Sequence, residues 1–208
     1  VHKGQRFVIF IAVPSLIGLF FCAEDLISTI FYRGAFTQID VLNSSYSLMA
    51  FSFGLPFFML MKVLTPAFFA RKDTKTPMYV ALVSLLLNAS LNYYLAFMLD
   101  FGHIGIALGS SIAALISVLI LEFILYKDGF IKMKSVFNRF NIMILFSSLS
   151  LILFLNFYTN LTNFIEFSQV ERLLYLSIEV IISIIIYGAV SRLILRKPIQ
   201  TLFETQRL

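Results

Sequence analysis

The chain has 208 residues, 60% hydrophobic and only 13% charged, with a formal net charge of +5 and a mean hydropathy of +0.92. Soluble domains carry about 45–50% apolar and about 25% charged residues, so the composition excludes that class and indicates an integral membrane protein. The positive charge is not a nucleic-acid footprint, because no basic run alternates with exposed aromatics in a polar segment.

A membrane-crossing helix needs about 20 mostly apolar residues, and six stretches meet that length: 7–31, 46–70, 78–99, 104–126, 140–158 and 173–195. None shows the short inside/outside alternation of a barrel strand. The expectation is an all-α polytopic membrane protein with six transmembrane helices. The first stretch is retained rather than cleaved, because Glu24-Asp25 stand where a small-residue cleavage motif would be. Its Cys22 is the single cysteine, which excludes an internal disulfide and leaves packing as its role. His2 and His103 cannot form an HExxH-type site, and no metal site is expected.

The second stretch carries the most information. Lys62 lies nine residues before Arg71 and eight before Ala70, the last residue of the stretch, so it is about 12 Å inside the helix end at 1.5 Å per residue. A cation at that depth costs about 2.5–3.5 kcal/mol on insertion scales and characteristically faces a bundle interior or a hydrated cavity. The alternative is a lysine that snorkels to the headgroups. Pro66 lacks the N–H that the Lys62 carbonyl would bond, and Pro56 does the same to Ser52. Pro56 and Pro66 are therefore hinge candidates, with a static kink as the alternative. In the basic turn after this helix, Lys72 and Lys75 read as topogenic charges, whereas Arg71 and Asp73 are candidates for a contact that closes the cytoplasmic side. Thr76 is read as the N-cap of the third helix and Pro77 as its first helical residue.

Ser84, Asn88 and Asn92 follow at four-residue spacing, one polar stripe suited to hydrogen-bonding helices together. Gly105, Gly109, Ala113 and Ser117 give the fourth helix a small-residue face for close packing. In the sixth helix Glu179 shares a face with Ser183 and Tyr187. The favoured reading is a protonated acid hydrogen-bonded to the fifth helix through Asn156, with proton coupling as the alternative. Counting Lys and Arg by loop places 13 of the 16 on one side and Arg33 and Arg172 on the other, with Lys62 inside a span. The positive-inside rule then puts both termini in the cytoplasm.

Arg33-Gly34-Ala35-Phe36-Thr37, Gly54-Leu55-Pro56, the run from Lys62 to Pro77, and Gly102-His103-Ile104-Gly105-Ile106-Ala107-Leu108 together resemble the MurJ/MviN lipid II flippases of the MOP transporter superfamily. By order and hairpin placement, the chain resembles helices nine to fourteen of those fourteen-helix proteins, a partial MOP-type fold. The resemblance implies two parts: 1–126, four helices of the C-terminal transporter lobe, and 127–208, an appended two-helix hairpin with a lipid-tail groove and a cytoplasmic tail. It implies a transporter rather than an enzyme. The activity would be translocation of lipid II, the undecaprenyl-pyrophosphate-linked disaccharide-peptide, from the inner to the outer leaflet of the bacterial cytoplasmic membrane during peptidoglycan synthesis.

The alternatives are another MOP-type polysaccharide-lipid flippase, or a non-transporting fragment or scaffold. No organic cofactor is implied; Na+, H+ and the membrane potential are the candidates for coupling. Some family members have a sodium site to which Asn88, Asn92, the carbonyl of Ile106 and Ser110 correspond, although Asn92 replaces a carboxylate of that pattern. Implied partners are lipid II, membrane lipids and the N-terminal helices of the same protein, with no nucleic acid. A chain that starts at Val1 and lacks the family's cavity arginines is read as a fragment or as the downstream piece of an interrupted gene.

Overall fold

The structure, a computed structural model, describes residues 1–130, 139–162 and 164–195. Among these every regular element is helical, and six helices or helix pairs are long and apolar enough to cross a membrane. Backbone hydrogen bonds inside lipid have to be closed within the segment, which is why apolar runs of this length fold this way.

The first stretch is α1 (His2–Phe21) and α2 (Ala23–Phe31), separated by Cys22, whose ψ of 14° departs from helical values. The second is α3 (Gln38–Ser52) and α4 (Leu55–Phe69). It begins eight residues earlier than hydropathy places it, because Thr37 and Asp40 form a reciprocal cap. The Thr37 N–H and hydroxyl both donate to Asp40 Oδ2, at 2.8 and 2.7 Å. Then come α5 (Lys75–Tyr93), continued by a π-turn over Tyr94–Met98, and α6 (Gly102–Lys127). The last pair is α7 (Arg139–Leu161) and α8 (Gln169–Leu195), with a 3₁₀ turn at Phe164–Glu166 between them.

The helices form two compact units, one built from Val1–Ala12 and Tyr46–Lys134, the other from Val13–Ser45 and Ser135–Leu208. In the first unit, Val8 and Ala12 of α1, Leu60, Leu64 and Phe68 of α4, Val80 of α5, and Val118, Leu121 and Leu125 of α6 make one cluster. Lipid is as apolar as these side chains, so close packing and hydrogen bonds, rather than water exclusion, hold the helices together. Gly105 and Gly109 let α6 approach the backbone of α5 and of the π-turn: a Cβ at Gly105 would lie 2.7 Å from the Leu95 carbonyl carbon and 2.8 Å from Ala96 N.

The break between α3 and α4 has a packed partner. The Gly54 N–H bonds Phe51 O at 3.0 Å instead of reaching back four residues, which releases the carbonyl of Ala50. The Ser111 hydroxyl of α6 donates to that carbonyl at 2.9 Å. Gly54 is required at this point, since a Cβ would meet Ser111 Oγ at 2.7 Å and Phe58 at 2.6 Å.

In the second unit α7 packs on α8 and α2 packs on α8. Arg172 ties the pieces together. Its Nε donates to Phe164 O at 2.6 Å, its Nη2 to Ile165 O at 2.9 Å, and its Nη1 to Ser28 O and Tyr32 O at 3.4 and 3.3 Å. The guanidinium also lies 4.7 Å from the Tyr32 ring centre. Sequence counting registers Arg172 only as an outer charge.

Candidate functional site

Lys62 and Pro66 sit one turn apart on α4 and are both exposed, whereas Leu60, Leu64 and Phe68 bury the opposite side of the helix. The lysine is therefore spared from the core of its unit and presented on the face that core leaves open. Pro66 does not interrupt α4, which runs on to Phe69, and the Ala70 N–H reaches Pro66 O at 2.9 Å. Pro56 falls in the first turn of α4, where its missing N–H would have no helical partner in any case. The break associated with it lies at Phe53-Gly54, two residues before the proline.

The turn that follows is built by capping. Asp73 N–H bonds Phe68 O at 3.1 Å and Lys72 N–H bonds Phe69 O at 2.9 Å, with Lys72 left-handed at φ 60°. This is a Schellman ending with lysine where glycine is usual. Asp73 then starts α5 by accepting from the Thr76 N–H at 3.0 Å. The cap is thus Asp73, and α5 begins at Lys75, before Thr76 and Pro77. Hydrogen bonds from Thr76 hold the Asp73 carboxyl below the usual carboxylate range.

Arg71 pairs with Asp128 across the first unit, Nη2 to Oδ2 at 2.6 Å, and stacks 3.9 Å from the Phe130 ring centre. Residues 128–130 form a second Schellman ending, with Phe130 N–H to Leu125 O at 3.0 Å, Gly129 N–H to Tyr126 O at 3.0 Å, and Gly129 at φ 77°. Asp128 was not visible as a partner in sequence, being 57 positions away.

The polar stripe of α5 meets α6 as its spacing requires. Asn88 Nδ2 donates to Ser110 Oγ at 3.0 Å, and Asn92 Nδ2 to Asn88 Oδ1 at 2.8 Å. With its amide turned over, Asn92 donates to Ile106 O at 3.1 Å and to Asn88 O at 3.2 Å. All four groups, Asn88, Asn92, the Ile106 carbonyl and Ser110, come together. Their oxygens are all neutral, and oxygen ligands without net negative charge hold a hard cation weakly. Among the described residues no group of three or more His, Cys, Asp or Glu is placed to hold a metal ion.

Glu179 is wholly buried, and its partner is not Asn156. The Cys22 Sγ donates to Glu179 Oε1 at 3.1 Å, while Asn156 is exposed and accepts from Asn160 Nδ2 at 2.6 Å through its carbonyl. Cys22 is therefore a donor as well as a packing residue. Glu122 has a partner too, Gln5 Nε2 at 2.8 Å.

Six apolar helices or helix pairs, capped at their polar turns and tied by small-residue faces and buried hydrogen bonds, define a multi-pass α-helical membrane protein. Residues 1–189 match the family described as Lipid II flippase MurJ, and the chain belongs to that family. A probable lipid II flippase of Vibrio cholerae is 38% identical over 126 residues, 61% of this chain and 24% of that protein. The lipid II flippase of Thermosipho africanus is 37% identical over 122 residues, 59% and 25% of the two chains. A probable flippase of Buchnera aphidicola subsp. Acyrthosiphon pisum is 36% identical over 152 residues, 73% and 29%. A solved lipid II flippase in an inward closed conformation superposes with a TM-score of 0.74 at 28% identity, over 94% of this chain and 39% of that one. The chain thus spans less than half the length of the relatives it matches.

Proposed function

We propose that the chain is the C-terminal portion of a lipid II flippase, helices nine to fourteen, and that with the rest of such a protein it moves lipid II to the outer leaflet of the bacterial cytoplasmic membrane. The observation that carries this is a family match along 1–189 joined to superposition of 94% of the chain on a flippase. No bond is made or broken in such a step; the protein supplies a polar path and a change of shape. Lys62 on the open face of α4 is the residue assigned to that path, facing the anionic pyrophosphate. The Arg71–Asp73 turn is assigned to the cytoplasmic closure, and the appended part, 127–208, to a groove for the lipid tails and a cytoplasmic tail.

Both termini are placed in the cytoplasm by the charge bias. Asn88, Asn92, Ile106 and Ser110 serve as hydrogen-bonded glue between α5 and α6, a role supported by their mutual partners.

The test uses cells depleted of their own lipid II flippase and supplied with the full reading frame that contains this chain. Growth and outward exposure of labelled lipid II should return. Lys62→Met and Pro66→Ala should lower exposure at unchanged protein abundance, while Lys72→Gln should retain it. No return of lipid II exposure with the unaltered frame refutes the reading; normal exposure in both variants refutes the roles of Lys62 and Pro66.

A further inference from the structure

In the second unit, Glu179 on α8 is completely buried and Asp25, in the first turn of α2, is 7% exposed. Each has one carboxyl oxygen with no hydrogen-bond partner among the described residues, Glu179 Oε2 and Asp25 Oδ2. A third orphan is the hydroxyl of Thr29, 4% exposed and one helical turn from Asp25 on the same face of α2. The Ser183 hydroxyl, one turn beyond Glu179 on α8, is likewise unpartnered.

The ionisable groups that act electrostatically on these two acids are each other, Glu24 and Cys22 beside them, and Tyr158 of α7. None of them is a cation. Arg172 on α8 is committed to the carbonyls of Phe164, Ile165, Ser28 and Tyr32. Asp40 of α3 is committed to its cap with Thr37. Among the described residues Glu179 has a single S–H donor and neither acid has a counter-charge; a carboxylate so placed is among the costliest groups to bury, and two in mutual range cannot both ionise cheaply. Among the described residues no group of three or more His, Cys, Asp or Glu is gathered to hold a metal ion instead. A proton resolves both problems, because it removes the charge and converts an orphan acceptor into an O–H donor that a neighbouring oxygen can accept.

The geometry points to a proton-binding site formed by Asp25 and Glu179, which together hold at least one exchangeable proton, taken from the aqueous phase as a carboxylic acid, at neutral pH. The site belongs to the second unit and uses none of the residues assigned to the lipid path, and it stands whether or not the chain takes part in flipping.

The test is infrared spectroscopy of the full chain in lipid nanodiscs, reading the C=O stretch of protonated carboxyls as the buffer is taken from acid to alkaline pH. At pH 7 the wild type should show the protonated band, and it should decline as the buffer turns alkaline. Asp25→Asn with Glu179→Gln should lose it, and the exposed control Asp100→Asn should keep it. Dicyclohexylcarbodiimide reacts by adding a carboxyl, with its proton, across a C=N bond. At pH 7 it should therefore label Glu179 or Asp25 in preference to Asp100. Absence of the band in the wild type at pH 7, or its survival in the double variant, overturns the proposal. The wild-type reading requires no variant to fold.

Discussion

Gly105→Ala adds a single methyl at the closest backbone approach in the first unit. Built on the native helix, that methyl lies 2.7 Å from Leu95 C and 2.8 Å from Leu95 O and Ala96 N, whereas ordinary contact begins at 3.4 Å. All three atoms are backbone, so no rotamer change relieves the overlap, and α6 has to move outward by the missing 0.7 Å against the π-turn. Overpacking of this kind costs about 1–3 kcal/mol. The same substitution gains about 0.5–1 kcal/mol of helix stability, leaving a net loss of up to about 2.5 kcal/mol. Gly188→Ala is the matched control: a Cβ there meets nothing within 4 Å, so only the gain remains. The chain has no tryptophan, so the measurement is thermal loss of helical circular dichroism in detergent. Gly105→Ala should melt below the wild type and Gly188→Ala at or above it. A Gly105→Ala protein as stable as the Gly188→Ala one would show that the approach of α6 to the π-turn is not the close contact described.

Lys72 stands at φ 60°, so Lys72→Gly should stabilise by a few tenths to about 1 kcal/mol and Lys72→Val should destabilise by about 1–2 kcal/mol, read by the same melts. A double-mutant cycle on Arg71 and Asp128, whose side chains are 25% and 35% exposed, should return a coupling of about 0.5–1 kcal/mol that shrinks with added salt. With Cys22→Ser as background, single cysteines at Lys127 and Ser168 should label from opposite faces of the membrane in intact cells, Ser168 from outside. Labelling of Lys127 from outside would overturn the orientation.

The six spans were legible because bilayer thickness imposes a length and apolarity that composition cannot hide. The α5–α6 contact was legible for a related reason: Asn88 and Asn92, and Gly105 and Gly109, repeat at the spacing that puts them on one face. Local capping was read in part. Thr76 and Pro77 marked the right turn, but Asp73 won the cap because its carboxylate reaches the Thr76 N–H. Hydropathy missed the first turns of α3, since a Thr37–Asp40 cap starts a helix without any apolar signal. Long-range partners were not legible. Asp128 for Arg71, Ser111 for the carbonyl of Ala50, and Cys22 for Glu179 are separated by 57, 61 and 157 positions, and nothing in the local pattern of either partner names the other.

The joined ends of α4 and α6 distribute charge unequally. Arg71 and Asp128 each stand immediately before the left-handed residue that ends their helix, where the last carbonyls carry the negative pole of the backbone dipole. Arg71 is complementary to that pole on its own helix, whereas Asp128 opposes the pole on α6. The arginine therefore neutralises two helix ends and one carboxylate, and the aspartate depends on it. Loss of Asp128 leaves Arg71 still serving α4 and removes a repulsion from α6, whereas loss of Arg71 leaves two negative poles and an unbalanced carboxylate side by side. Two halves of one ion pair are thus unequal in consequence.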